Sequence, residues 1–185
     1  MRRSCLAEFR LETERLVIRS WRDEDIAAFH AICRDPVVMA TLGPVMTLAE
    51  TEALVARERA FEAELGHTFW VVERRADQRL IGKCGVIRGR VEPILNLPEI
   101  GWRLAADCWG QGYISEAARA CAAWFFANRA DEAIWAITSS ANLRSRAVME
   151  RLGMAYQPGL DFDHPRLAPG DSLLRHVTYR LDRRA

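Results

Sequence analysis

Net charge, long apolar runs and clustered metal-type ligands are all missing from this sequence, and each absence removes a class of function. The 26 Lys and Arg residues nearly cancel the 25 Asp and Glu, leaving +1. Tight binding to duplex DNA draws on a net basic field, so DNA is not expected as a partner, although a few local donors suffice for one small phosphorylated ligand. No apolar run nears the roughly 18 residues of a membrane span, so no membrane partner is expected either. The opening Met1-Arg2-Arg3-Ser4-Cys5-Leu6-Ala7-Glu8 is basic but has no apolar stretch behind it, which reads as no signal peptide and a cytoplasmic protein. The cysteines Cys5, Cys33, Cys84, Cys108 and Cys121 are odd in number and form no Cys-x-x-Cys pair, the usage of a reduced, intracellular chain. His30, His67, His164 and His176 form no His-x-x-x-His or Cys/His pattern, so no metal site is expected. Internal repeats, low-complexity tracts and linkers are also lacking.

What is there is apolar residue, half of the 185. That length fits one domain over 1–185, and a chain of this size buries about 70% of the surface its unfolded form exposes. Residues 13–21 read as a first strand, with Asp23 as cap of a helix through Ile26, Phe29 and Ile32 that Pro36 ends. Thr47-Leu48-Ala49-Glu50 has the capping-box form. It predicts a helix to about Leu65, with Leu54, Phe61 and Leu65 on one side and Gly66 as its stop. Residues 69–73 and 80–87 read as a hairpin, 88–98 as a loop, and Glu99–Leu104 as a further strand. Ile114, Ala117, Ala118, Cys121, Trp124 and Phe125 keep helical spacing. Ile134–Thr138 is a short buried strand. Asn142–Leu152 is a helix closed by Gly153, and Leu173, Val177, Tyr179 and Leu181 share the parity of a last strand. The order β-α-α-β-β-β-α-β-α-β fits one mixed, twisted sheet of about six to seven strands with helices on both faces, an α/β (α+β) class.

The strand–glycine–helix passage Trp109-Gly110-Gln111-Gly112-Tyr113 is the feature with chemical meaning. Glycines permit positive φ and close approach of a ligand to the main chain. Successive N–H groups at a helix start form a concavity for an anion, so a diphosphate can bind there without lysine. The plain alternative is a tight turn that lets the helix pack. A dinucleotide fingerprint needs a glycine where Ser115 stands, and a P-loop needs Gly-Lys-Ser/Thr, whereas Gly112 precedes Tyr113.

Trp109-Gly110-Gln111-Gly112-Tyr113-Ile114-Ser115-Glu116-Ala117 resembles the Trp-Gly-x-Gly-Tyr-Ala-x-Glu-Ala segment of the GNAT acetyltransferases, most closely their RimJ/RimL type. Asn142-Leu143-Arg144-Ser145 through Leu152-Gly153-Met154 is similar to that family's Asn-x-x-Ser…Lys-Leu-Gly-Phe block, and Glu14-Arg15-Leu16-Val17-Ile18-Arg19 to its first strand. The resemblance implies the acyl-CoA N-acyltransferase fold and acetyl-CoA as cofactor, with pyrophosphate on the N–H groups of Gly110, Gln111, Gly112, Tyr113 and Ile114 beside Trp109. It also implies pantetheine along Trp102, Arg103 and Leu104, where that strand and Ile134–Thr138 splay apart. Asn142 and Ser145 would lie near the pantetheine and the sulfur. Ile114 stands where the family usually has Gly or Ala. A homodimer is compatible with the family.

Acetyl transfer from a thioester needs a neutral amine, a held carbonyl oxygen and a thiolate that can leave. An N–H near Leu104 suits the oxygen. An α-amino group is already roughly 10–20% neutral at pH 7, a lysine amine only about 0.04%. The acceptor is therefore expected to be an amine-bearing small molecule or a protein N-terminus. Glu99 is the expected base and Ser145 the expected acid, against plain readings as a strand-end charge and a helix first-turn serine; Asn142 also reads as that helix's N-cap. Tyr156 is a weaker acid candidate, or a strand residue on the core. Glu116 reads as structural, favouring the helix dipole. Arg144, Arg146 and Arg151 face a nucleotide phosphate or simply solvent, Trp70 and Trp102 fill the core or wall a pocket, and Asp161–Pro165 lines the acceptor pocket or is a surface loop. Two rivals remain: a non-catalytic acyl-CoA-binding or sensing module, and a nucleic-acid-associated protein suggested by Arg2-Arg3 and Arg183-Arg184.

Overall fold

Two periodicities sort the chain into a sheet and its cover. The computed structural model describes residues 8–183; Arg2, Arg3, Cys5 and Arg184 lie outside them. The strands are β1 (Arg10–Glu12), β2 (Leu16–Arg19), β3 (Phe69–Arg74), β4 (Arg79–Arg88), β5 (Pro98–Leu104), β6 (Ala133–Ser139), β7 (Ala155–Tyr156), β8 (Phe162–Asp163) and β9 (Arg175–Asp182). They form one nine-stranded sheet in the order β1-β2-β3-β4-β5-β6-β9-β7, with β8 also on β9. The six strands read from the sequence are all present, and the additions are three short ones. The helices are α1 (Asp25–Cys33), α2 (Pro36–Met39), α3 (Leu48–Leu65), α4 (Tyr113–Asn128) and α5 (Leu143–Arg151).

Alternation along β4 shows the two layers. The Lys83 ammonium meets Glu58 of α3 at 2.7 Å, while the next residue, Cys84, faces Cys121 of α4, and burial pushes its thiol up. Helices α1 and α3 thus cover one face and α4 the other, joined by α5, whose Glu150 accepts from Tyr179 of β9 at 3.3 Å. Among the described residues, no helix is long and apolar enough to cross a membrane.

Several local expectations need correction. The first strand starts at Leu16, not Thr13, because the Thr13 N–H donates to the Leu16 carbonyl at 2.9 Å and turns the chain back onto β1. Asp23 does not cap α1; it pairs with Arg59 at 2.7 Å. Asp25 takes the local N–H instead, from Arg22 at 2.7 Å, and holds Arg19 at 2.8 Å. Pro36 does not end α1, which stops at Cys33; it opens α2 at a position where its missing N–H costs nothing, and Asp35 caps that turn. The Thr47 capping box forms, and Gly66 closes α3 at φ 72°, but the buried stripe of α3 is Thr51, Leu54, Val55 and Glu58, not Phe61 and Leu65. Leu173 lies before β9. Arg183 is not a free basic tail, since its guanidinium binds the carbonyls of Phe126, Arg129 and Asp131 behind α4.

Candidate active site

After β5 the chain makes one turn of 3-10 helix, Ala106–Cys108, and then the glycine turn. Gly110 and Gly112 hold φ of 74° and 80°, the left-handed region that side chains with a Cβ avoid. Gly112 is the N-cap of α4. The turn is held from outside. The Trp109 indole N–H donates to the Leu104 carbonyl at 2.9 Å, and the Gln111 side chain donates to the Asp107 carbonyl at 2.9 Å. Arg15 Nη1 donates to the Gln111 carbonyl at 2.9 Å, and Arg15 is itself fixed to Glu116 at 2.6 Å. Glu116 also accepts from Thr13 Oγ1 at 2.6 Å, so it is structural, and these donors hold its carboxyl below the usual range despite its partial burial. The inner side of the turn is left unused. The backbone N–H groups of Gly110, Gln111, Gly112, Tyr113 and Ile114 donate to no protein acceptor among the described residues.

The second component is a gap in the sheet. β5 pairs with β4 from Pro98 to Leu104 but meets β6 in parallel only at Glu99↔Trp135. The Ala105 N–H donates to Ile81 of β4 at 2.9 Å. Alternation then directs the N–H groups of Trp102 and Leu104 away from β4 and into the opening. Across the opening stands α5. Its cap Asn142 accepts from the Ser145 N–H at 3.2 Å and keeps its amide nitrogen without a protein partner among the described residues.

Gap and turn form one cleft of about 910 Å³. Of the residues singled out in the sequence, it is lined by Trp102, Arg103 and Leu104 of β5, by Trp109, Gly110, Gly112, Tyr113 and Ile114 of the turn, and by Asn142 and Ser145 of α5. Gln111 is not a lining residue, because its side chain folds back on Asp107. Glu99 also lies outside the lining. It sits at the vertex where β5 and β6 meet, on the α1/α3 face, half-buried. Burial pushes its carboxyl up to about 7, against the opposing pull of Lys83, Arg90 and Arg166.

Other readings sort themselves by position. Arg144 and Arg151 line the cleft, with Arg144 4.5 Å above the Trp109 ring. Arg146 does not, for it donates to Tyr179 Oη and the Ser140 carbonyl, both at 3.3 Å. Tyr156 is neither on the core nor in the cleft; it is 40% exposed and donates to Asp161 at 2.6 Å, which raises its phenol. Trp70 is core, stacked on Phe9 at 3.8 Å. Asp161–Pro165 lies outside the cleft lining, and Phe162 and His164 there pack against His176. Cys108 lines the cleft, but burial raises its thiol, the wrong direction for a nucleophile. Val38, Thr41, Leu42, Glu14, Arg15 and Arg119 also line it. Sequence reasoning did not place them, since only the fold brings α2 and the β1–β2 turn to this opening, and Arg119 lies off the apolar stripe of α4.

A model of the acetyltransferase (GNAT) domain family matches residues 15–155. YkkB, an uncharacterised protein of Bacillus subtilis (strain 168), is 31% identical over 151 residues, which are 81% of this chain and 87% of that protein. An acetyltransferase from Agrobacterium tumefaciens str. C58 superposes with TM-score 0.77 at 26% identity over 95% of each chain. The ribosomal-protein α-N-acetyltransferase RimL, solved in complex with coenzyme A, has the same fold, with TM-score 0.76 at 16% identity over 94% of this chain and 98% of its own.

Proposed function

The chain belongs to the GNAT acetyltransferases, and from that premise we propose that it carries the acetyl group of acetyl-CoA to the primary amine of a small molecule or a protein N-terminus by direct attack. One observation carries this reading: five consecutive backbone N–H groups, Gly110 to Ile114, have no protein acceptor among the described residues and surround a helix start whose residues Gly110, Gly112, Tyr113 and Ile114 line the cleft. Such an array at a helix start offers several donors and positive partial charge to an anion, and a pyrophosphate matches it in charge and shape. Arg119, Arg144 and Arg151 on the same cleft suit a further phosphate. The isoleucine at 114 leaves its N–H available and turns a half-buried side chain to the wall.

Acetyl-CoA supplies the activated thioester; the protein supplies position and protons. The N–H groups of Trp102 and Leu104 are placed to hold a carbonyl oxygen. Glu99, at the vertex of the gap, accepts the proton of the incoming ammonium or amine through water, and its raised carboxyl suits a base that works near neutral pH. The Ser145 hydroxyl, with no protein partner among the described residues, donates a hydrogen bond to the departing thiolate, which takes its proton from solvent and needs little help because thiols have pKa near 8.5. Asn142 fixes the first turn of α5 and so the place of Ser145. One sheet that runs from Arg10 to Asp182 supports reading the whole chain as one catalytic domain. The two motif blocks around Trp109 and Asn142 support the RimJ/RimL type.

Thiol release from acetyl-CoA across a panel of amines and peptides tests the reading, with calorimetry of coenzyme A alongside. Binding with turnover is expected. Failure of millimolar coenzyme to bind sinks the site, and tight binding with no turnover on any acceptor sinks the enzyme.

A further inference from the structure

The buried cations of this protein come with anions. Arg19 is held by Asp25 at 2.8 Å and Glu73 at 2.9 Å, Lys83 by Glu58 at 2.7 Å, and the half-buried Arg88 by Asp131 at 2.6 Å. Arg129, Arg146 and Arg183, also half-buried, have no carboxylate but give their guanidinium groups to carbonyl or hydroxyl oxygens; Arg103 has no oxygen partner of either kind among the described residues. It is half-buried, and no carboxylate lies within salt-bridge distance among the described residues. Its Nη1 points at two sulfurs, Cys33 Sγ at 2.8 Å and Met46 Sδ at 3.3 Å. Its Nε is buried with no partner, and its Cζ lies 5.8 Å from the centre of the Phe29 ring. Sulfur and an aromatic face accept weakly and neutralise nothing. The register makes matters worse, because Lys83 is the cross-strand neighbour of Arg103 and has already committed its charge to Glu58. An uncompensated cation in such surroundings is costly, yet this one lines the cleft.

Its side chain also points the other way from the glycine turn, toward α1, and shares its part of the wall with Val38, Thr41 and Leu42. The acidic residues of the cleft lie at the opposite end: Glu116 is bound by Arg15, and Glu14 adjoins Arg15. Among the described residues that line the end where an acceptor would enter, Arg103 is therefore the one cation without a carboxylate, beside Val38, Thr41 and Leu42. We infer that the acceptor amine also carries an anionic group, a carboxylate or a phosphate, and that Arg103 is the residue that anchors it. Polycationic amines are disfavoured by the same charge. The inference rests on the acetyltransferase reading and narrows its substrate class.

The test compares matched acceptors: amino acids with their carboxamides and decarboxylated amines, and O-phosphoethanolamine with ethanolamine. Rates are taken per neutral amine, because the members of each set differ in basicity. The anionic member should win by tenfold or more in kcat/KM, and the arm that wins separates carboxylate from phosphate. Arg103→Gln should erase the gap by raising the KM of the anionic acceptors about tenfold more than that of the neutral amines. Arg103→Lys should restore part of the preference. Equal or better turnover of neutral amines by the unaltered protein overturns the inference. So does no turnover of any anionic amine, or an Arg103→Gln variant that loses coenzyme affinity as much as acceptor affinity. Calorimetry on the unaltered protein keeps the two levels apart: if coenzyme A fails to bind, the underlying reading has failed, whereas binding with a preference for neutral amines removes Arg103 alone.

Discussion

A carboxyl group that titrates near 7 serves as a base only while it is ionised, so Glu99 ties the proposed chemistry to pH. Rate should rise with pH through about 7 as the carboxylate forms, on top of any rise from the acceptor amine. Glu99→Gln should lose that limb and lower kcat/KM roughly a hundredfold, the low end of what a positioned base supplies. A profile unchanged in shape would remove Glu99 from the mechanism. Stability gives a second, independent readout. Burial raises this carboxyl above its ordinary value of 4.5, so the folded state holds the proton more tightly than the unfolded chain. Its contribution is fully present below the unfolded value and lost as pH rises through about 7. Glu99→Gln should therefore melt higher than the unaltered protein at pH 8 and converge with it near pH 4. Glu99 itself was legible as the residue that opens a strand, but its burial and its place outside the cleft lining were not. Both follow from β6 meeting β5 at that one residue, a pairing between segments about thirty-five residues apart.

At the scale of elements, signals that close within three or four residues were readable. The Thr47 box, the Gly66 stop, the Asn142 cap and the α4 stripe all have this range. The turn at Thr13–Arg15 has no glycine or proline, and the apolar run behind it reads straight through, so β1 was missed. Strands β7 and β8 have two residues each, too few for a period to declare itself. Two substitutions separate a structural cap from a functional one. Thr47→Ala removes a bond to the Glu50 N–H. It should cost about 1 kcal/mol, a drop of roughly 2–4 °C in Tm, with coenzyme affinity unmoved. Gly112→Ala forces a Cβ onto φ of 80°, a strain of about 1–2 kcal/mol. The new methyl meets little, since its nearest neighbour is the far end of Arg15 at 3.4 Å. Strain alone predicts an equal stability loss with normal binding. The proposed anion cradle predicts that coenzyme affinity falls tenfold or more as well, which calorimetry on the folded variant reads directly.

Across the whole molecule, the sheet is two pieces that share one residue pair. From β1 to β5 each strand pairs with the next, with one register shift between Val72 and Glu73. From β6 onward pairing resumes, and between them only Glu99 and Trp135 are paired. What joins the halves elsewhere is the packing of α4 and α5 on the common face. A ligand lying in that opening would touch β5, the start of α4 and the start of α5 together, and so would act as the missing rungs of the ladder. A sheet broken in this way leaves the N–H groups of Trp102 and Leu104 without a strand partner beside those of Gly110 to Ile114, which have no protein acceptor among the described residues. These amides should exchange hydrogen quickly in the free protein and at least tenfold more slowly with saturating coenzyme A. Amides of β4, already paired on both sides, should hardly change. Coenzyme at a hundred times its Kd stabilises a folded protein by about 2.7 kcal/mol, which for a chain of this size is a Tm rise of about 5–10 °C. Slower exchange spread evenly over the sheet, or confined to the glycine turn with Trp102 and Leu104 unaffected, would mean that the gap between β5 and β6 is not where the pantetheine arm lies.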